Sequence, residues 1–162
     1  MTKKNIISCL ILGLLFSCSS NKENASEYDK KITNAFESFN GVFMNYSMSL
    51  KNSSPETKES VRITTLQMIQ SSIDSSDIMQ PFGNDATYLD SYKNYLKTVR
   101  LCLRNYDSIK ISLLIKDSLM DKKDSSSVKE LTSQSLLNCD KAYLEFQNMQ
   151  RKFREKNGIN TN

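Results

Sequence analysis

The four cysteines, at positions 9, 18, 102 and 139, are the side chains here best equipped for chemistry, because the chain contains no histidine at all. Without histidine, the commonest general base and the commonest zinc ligand are both missing. Serine is plentiful, yet a serine nucleophile needs a base, which only a lysine or a carboxylate could supply here. No Gly-x-Ser-x-Gly elbow and no phosphate-cradling glycine loop is present. Acidic pairs such as Asp74/Asp77 and Asp121/Asp124 sit in polar surroundings and read as solvated faces. Two cysteines beyond the N-terminal segment do not make a structural zinc site, and no calcium loop is present. The expectation is a non-catalytic protein without a metal or cofactor. Two further constellations could bind rather than react. Lys93, Lys97, Arg100 and Arg104 recur at i, i+4, i+7 and i+11, either as a docking face for an anionic partner or as a solvent face paired with acids on neighbouring helices. Tyr92 and Tyr106 fall on an apolar seam, whereas Tyr88 and Tyr95 follow an adjacent track that could edge a groove or widen the core.

The N-terminal residues carry an address. Lys3 and Lys4 precede an almost unbroken apolar run over residues 6–16, the anatomy of a secretory signal peptide. The run is too short to span a bilayer, which takes about 20 apolar residues. It ends in Leu15-Phe16-Ser17-Cys18, which resembles the lipobox of bacterial lipoproteins, with Leu at −3, a small residue at −1 and Cys at +1. The resemblance implies a cleaved signal peptide over residues 1–17 and a diacylglycerol on the Cys18 thiol. Each buried methylene contributes about 0.8 kcal/mol, so two or three acyl chains anchor essentially permanently. Residues 18–26 then form the lipidated cysteine and a polar tether. Ser19, rather than Asp, at +2 implies the outer membrane, facing either the cell surface or the periplasm. Cleavage would remove Lys3 and Lys4 and no acid, so the formal charge of +4 overstates the basicity of the remaining chain. No concentrated basic footprint for nucleic acid is present.

Beyond the tether, apolar residues recur at helical spacing in four blocks. The first carries Tyr28, Ile32, Ala35, Phe39, Val42, Tyr46 and Leu50, widened by Phe36 and Phe43, with Asn40-Gly41 suggesting a kink or a close helix contact. The second opens at Ser54-Pro55-Glu56, an N-cap, N1 proline and first-turn acid. Its face is read as Leu66, Ile69 and Ile73, supported by Val61, Ile63 and Met68, and it ends at Pro81 in a turn. The third follows Leu89, Tyr92, Leu96, Val99, Leu103 and Tyr106, continued by Ile109 and Leu113. The fourth begins with a capping box from Ser127 to Glu130 and runs along Val128, Leu131, Cys139, Ala142, Phe146, Met149 and Phe153, with Gly158 as its C-cap. Four Gly and two Pro are too few for an all-β architecture. The spacing predicts an all-α, antiparallel up-down four-helix bundle over residues 27–157, about 40 Å long, with a short tail at 158–162.

The order of the blocks and the Ile78-Met79-Gln80-Pro81-Phe82-Gly83-Asn84-Asp85 turn resemble small helical surface lipoproteins of diderm bacteria whose function is unassigned. That family implies a fold and a location but no catalytic residues. Cys102 and Cys139 fall at similar heights on two sequential helices, so they are either a disulfide, which an oxidising envelope permits, or two buried thiols. The functional expectation is a lipid-anchored binding or structural module contacting an envelope or host protein or a glycan. The alternative is a periplasm-facing carrier or sensor that binds a small apolar ligand between its helices.

Overall fold

The computed structural model describes residues 24–116 and 122–159. The expected signal peptide, Cys18, most of the expected tether, residues 117–121 and residues 160–162 lie outside the described residues. The described chain is an antiparallel up-down four-helix bundle, as the apolar spacing predicts. Helix α1 covers Ala25–Asn52 and α2 covers Pro55–Asp77. The third rod begins as α3, Thr87–Leu101, passes through a π-helical segment at Cys102–Asp107, and continues as α4, Ser108–Lys116. The fourth rod is α5, Lys122–Lys156.

Local signals account for the helix ends. Asn24 caps α1 in a reciprocal box, accepting from the Glu27 amide at 2.8 Å, while Asn24 N–H reaches the Glu27 carboxylate at 3.4 Å. Ser54 accepts from the Thr57 amide at 3.3 Å, with Pro55 at the first helical position of α2. Gly83, at φ +60°, allows the tight Phe82–Asp85 turn, and Asp85 then accepts from the Thr87 amide and hydroxyl to start α3. At the far end, Ile159 N–H bonds the Arg154 carbonyl and Gly158 N–H bonds the Glu155 carbonyl, with Gly158 at φ +65°. This is a Schellman closure of α5.

Serine and asparagine are abundant and alanine is scarce, so these helices depend on packing more than on intrinsic propensity. Packing is supplied by a continuous column of rings. At one end Phe82 and Phe153 close on Tyr28, with centroids 5.4 and 5.6 Å away. Tyr88, Tyr92 and Tyr95 of α3 then stack on Phe146 of α5, which also meets Phe36 of α1 at 4.9 Å. Phe39, Phe43 and Tyr46 carry the column up α1. Such pairs add about 0.5–1.5 kcal/mol each beyond area burial. Tyr88 and Tyr95 are therefore core, not groove edges. Gly41 lies within the continuous α1, with open space where a Cβ would stand, so the close helix contact is not found.

Three other expectations shift. The buried face of α2 is Arg62, Thr65, Ile69, Ile73 and Ser76, while Ile63 and Met68 point to solvent. Ser127 and Glu130 lie inside α5, which begins at Lys122, so they are not its N-terminal box. In the third rod, the π-helical segment places an extra residue in each turn, and the inward positions advance by four: Val99, Leu103, Asp107, Ile111. A regular helix would have brought Ile109 inward. Ile109 is instead 50% exposed and Ile111 0% exposed. Replacing Ile111 with Ala should cost about 2–5 kcal/mol in urea unfolding, whereas Ile109→Ala should stay within about 0.5 kcal/mol. The reverse ranking would mean that the third rod is regular α-helix throughout.

Candidate functional site

The widened segment creates the most unusual chemistry in the bundle. It turns Asp107 inward to 6% exposure, where a charged group needs partners. Tyr46 of α1 donates its hydroxyl to one carboxylate oxygen at 2.6 Å, and Lys110 donates to the other at 3.2 Å. Arg62, also buried, reaches across from α2 and donates to the Leu103 carbonyl at 3.2 Å, inside the same widened turn. Widening a turn tilts carbonyls off the helix axis, and a cation nearby can satisfy them. Glu59 holds the guanidinium from its other side in a two-point pair. The hydrogen bonds from Arg62 keep the Glu59 carboxyl below its usual range.

Beside this network, a cleft of about 360 Å³ opens between α1, the π-helical segment and α5. Phe43, Leu103 and Leu136 give it an apolar wall, Ser47 and Thr132 contribute hydroxyls, and Cys102 and Cys139 line it together. Asp107, Lys110 and Asp140 add charged groups to its lining. Cys102 donates to the Ser135 carbonyl at 3.5 Å, one turn before Cys139 on α5, and the two thiols are electrostatically interacting neighbours. The neighbouring Cys139 draws the Cys102 thiol below its ordinary value, while Cys102 and burial push the Cys139 thiol far up. Both cysteines are free thiols in the structure.

The basic stripe divides. Lys93 pairs with Asp77 at 3.3 Å, and Arg100 donates to Gln70, so both knit α3 to α2. Lys97 and Arg104 are exposed. Of the acidic pairs, Asp74 accepts from Gln70 at 2.8 Å and Asp77 holds Lys93. Among the described residues, no group of three or more Cys, Asp or Glu side chains is placed to hold a metal ion. At the opposite end of the bundle, Asp29 of α1 is buried and accepts from Tyr88 at 3.0 Å and from Arg154 at 2.8 Å. Arg154 and Gln150 also donate to Thr33, which fixes α5 against α1. Asp85 pairs with Lys156 at 2.8 Å, and Lys156 with the Thr87 hydrogen bonds pulls its carboxyl down to about 2.

Sequence reasoning missed Arg62, Tyr46 as a hydrogen-bond donor, and Asp107. The signal for Arg62 was available: positions 62, 65, 69, 73 and 76 step by three and four. It was hidden because three of those positions hold Arg, Thr and Ser. Asp107 also lies on the apolar track, four residues past Leu103 and eleven past Leu96, and its charge hid it. Comparison with protein-family models, curated proteins and solved structures finds no match for this chain. The reading of the site therefore rests on its geometry.

Burial raises the phenols of Tyr46, Tyr88, Tyr92 and Tyr95, with Tyr92 pushed up to about 12. The charge of Asp107 adds to the effect at Tyr46, and that of Asp29 at Tyr88. Unfolded, each phenol ionises near pH 10; folded, it ionises later. Stability is therefore intact below about pH 10 and falls as pH rises through the folded values, by up to ~1.4 kcal/mol per pH unit for each such tyrosine. Tyrosinate absorbance should appear together with loss of helical circular dichroism above about pH 10. Full ionisation of all seven tyrosines with helicity intact would contradict their burial.

Proposed function

We propose that this protein is a lipid-anchored envelope protein acting as a non-catalytic binding module, with the cleft between α1, the π-helical segment and α5 as its ligand site. The single observation that carries the binding reading is that cleft: about 360 Å³, walled by Phe43, Leu103 and Leu136 and floored by two thiols. A concave, mostly apolar site with a few polar groups suits a small apolar ligand. Asp107, the buried carboxylate in its wall, is engaged by Tyr46 and Lys110, which favours a binding role over acid–base work. Between a rod that contacts a protein or glycan and a carrier of a small apolar molecule, the cleft favours the carrier. The lipobox-like Leu15-Phe16-Ser17-Cys18 supports attachment to the outer membrane through Cys18. Among the described residues no helix is long and apolar enough to cross a membrane, so in this reading the membrane partner is reached through the lipid.

Each half of the reading has its own test. Expressed in a diderm host, the wild-type chain should partition with membranes and carry an acylated N-terminal cysteine by mass spectrometry, while Cys18→Ala should leave the membrane fraction. An unmodified Cys18 in membrane-free wild-type protein would overturn the anchor. For the cleft, titration with the apolar fluorophore 1-anilinonaphthalene-8-sulfonate should saturate at one site on folded protein. Ser47→Phe, which fills the cleft from α1, should weaken that binding at least ~10-fold, or about 1.4 kcal/mol, without loss of helicity. Unchanged affinity in Ser47→Phe would place the ligand elsewhere.

A further inference from the structure

We propose that Cys102 and Cys139 form a reversible dithiol–disulfide site that opens on the cleft and reacts by exchange with a small-molecule disulfide. Three observations carry this. The thiols come from different rods, Cys102 from the π-helical segment and Cys139 from α5, and both are buried. Both line the same cleft, so a reagent entering there reaches either one. The Cys102 contact with the Ser135 carbonyl holds its side chain toward α5, where its partner lies one turn further along. A bridge demands close approach and matched side-chain directions, and rotating either helix by one residue would remove both. Cys102 continues the inward track of Tyr88 and Tyr95, which recur every seven residues along α3.

The roles of the two thiols differ. The neighbouring Cys139 holds the Cys102 thiol below its ordinary value, which makes Cys102 the attacking sulfur. The Cys102 thiolate displaces one thiolate from the external disulfide and leaves a mixed disulfide on Cys102. The released thiolate takes up a proton. Cys139, whose thiol is held high partly by the charge on its neighbour, is relieved of that charge once Cys102 has reacted. It then loses its proton, attacks the Cys102 sulfur and expels the second thiolate, which is protonated in turn. One bond forms between the two protein sulfurs, the external S–S bond breaks, and two electrons and two protons pass to the external pair. The inference stands apart from ligand binding, because thiol chemistry is read without any ligand.

The test incubates the folded full-length chain with glutathione disulfide, blocks remaining thiols with iodoacetamide under denaturing conditions, and maps tryptic peptides. The expected product links the peptide of residues 101–104 to that of residues 130–141, while Cys9 and Cys18 fall together in residues 5–22. Closing the loop from 102 to 139 should raise the thermal midpoint by roughly 10 °C, and dithiothreitol should reverse it. Cys139→Ala should stop at a glutathione adduct on Cys102, and in Cys102→Ala Cys139 should react at least ~10-fold more slowly. Wild-type protein in which both residues remain alkylatable, or which stalls as a mixed disulfide, overturns the proposal. The wild-type readout holds whether or not either variant folds.

Discussion

The organisation of one end of the bundle depends on a single departure from regular helix, the π-helical segment at Cys102–Asp107. An extra residue per turn changes the angle at which every later side chain leaves the third rod. Leu103, Asp107 and Ile111 then share the inward face, and Cys102 is buried beside Leu103. Placing a carboxylate inside a bundle is costly unless it is bonded, and this one is bonded from two elements, by Tyr46 of α1 and Lys110 of α4. Arg62 of α2 holds the backbone of the same turn. The polar residues of three rods are therefore responses to one geometric event in the third.

The opposite end is organised differently. There the Phe82–Asp85 turn places an aromatic ring against Tyr28 and Phe153 and a carboxylate beside Lys156. Asp29, Tyr88 and Arg154 tie α1, α3 and α5 together beneath the rings. Between the ends, the aromatic column fills the space between α1 and α5 with large side chains. The column has weight because helices rich in serine and asparagine gain little from propensity. Their exposed serines bond back to their own carbonyls, as Ser71 does to Gln67 and Ser75 to Ser71, which satisfies the hydroxyls but adds no packing.

The cleft follows from the two regimes meeting. Where the ring column gives way to the polar network, small residues, Ser47, Ser135 and the two cysteines, replace large ones and leave room between α1 and α5. Space, apolar walls and a thiol pair coincide there. The basic stripe of α3 is, by contrast, half used in holding α2 through Lys93 and Arg100.

Much of the architecture was legible in the chain itself. Helix count, direction, most of the seams, one turn and two of the caps follow from local rules, since apolar spacing of three and four residues, Ser54-Pro55, the Gly83 turn and Gly158 each act within one or two turns. The meeting of Cys102 and Cys139 was legible only as a similarity of height, because height depends on residue count while facing depends on rotation. Rotation was decided by tertiary structure. Nothing in residues 102–107 announces a wider turn; it persists because the surrounding helices supply a donor to the Leu103 carbonyl and the Tyr46 hydroxyl to Asp107. The inward face of α2 was likewise set by what it meets, Arg62 against that turn, rather than by its own hydrophobicity. Local spacing determined where the four rods run, and the contacts among them decided which side chains share the interior.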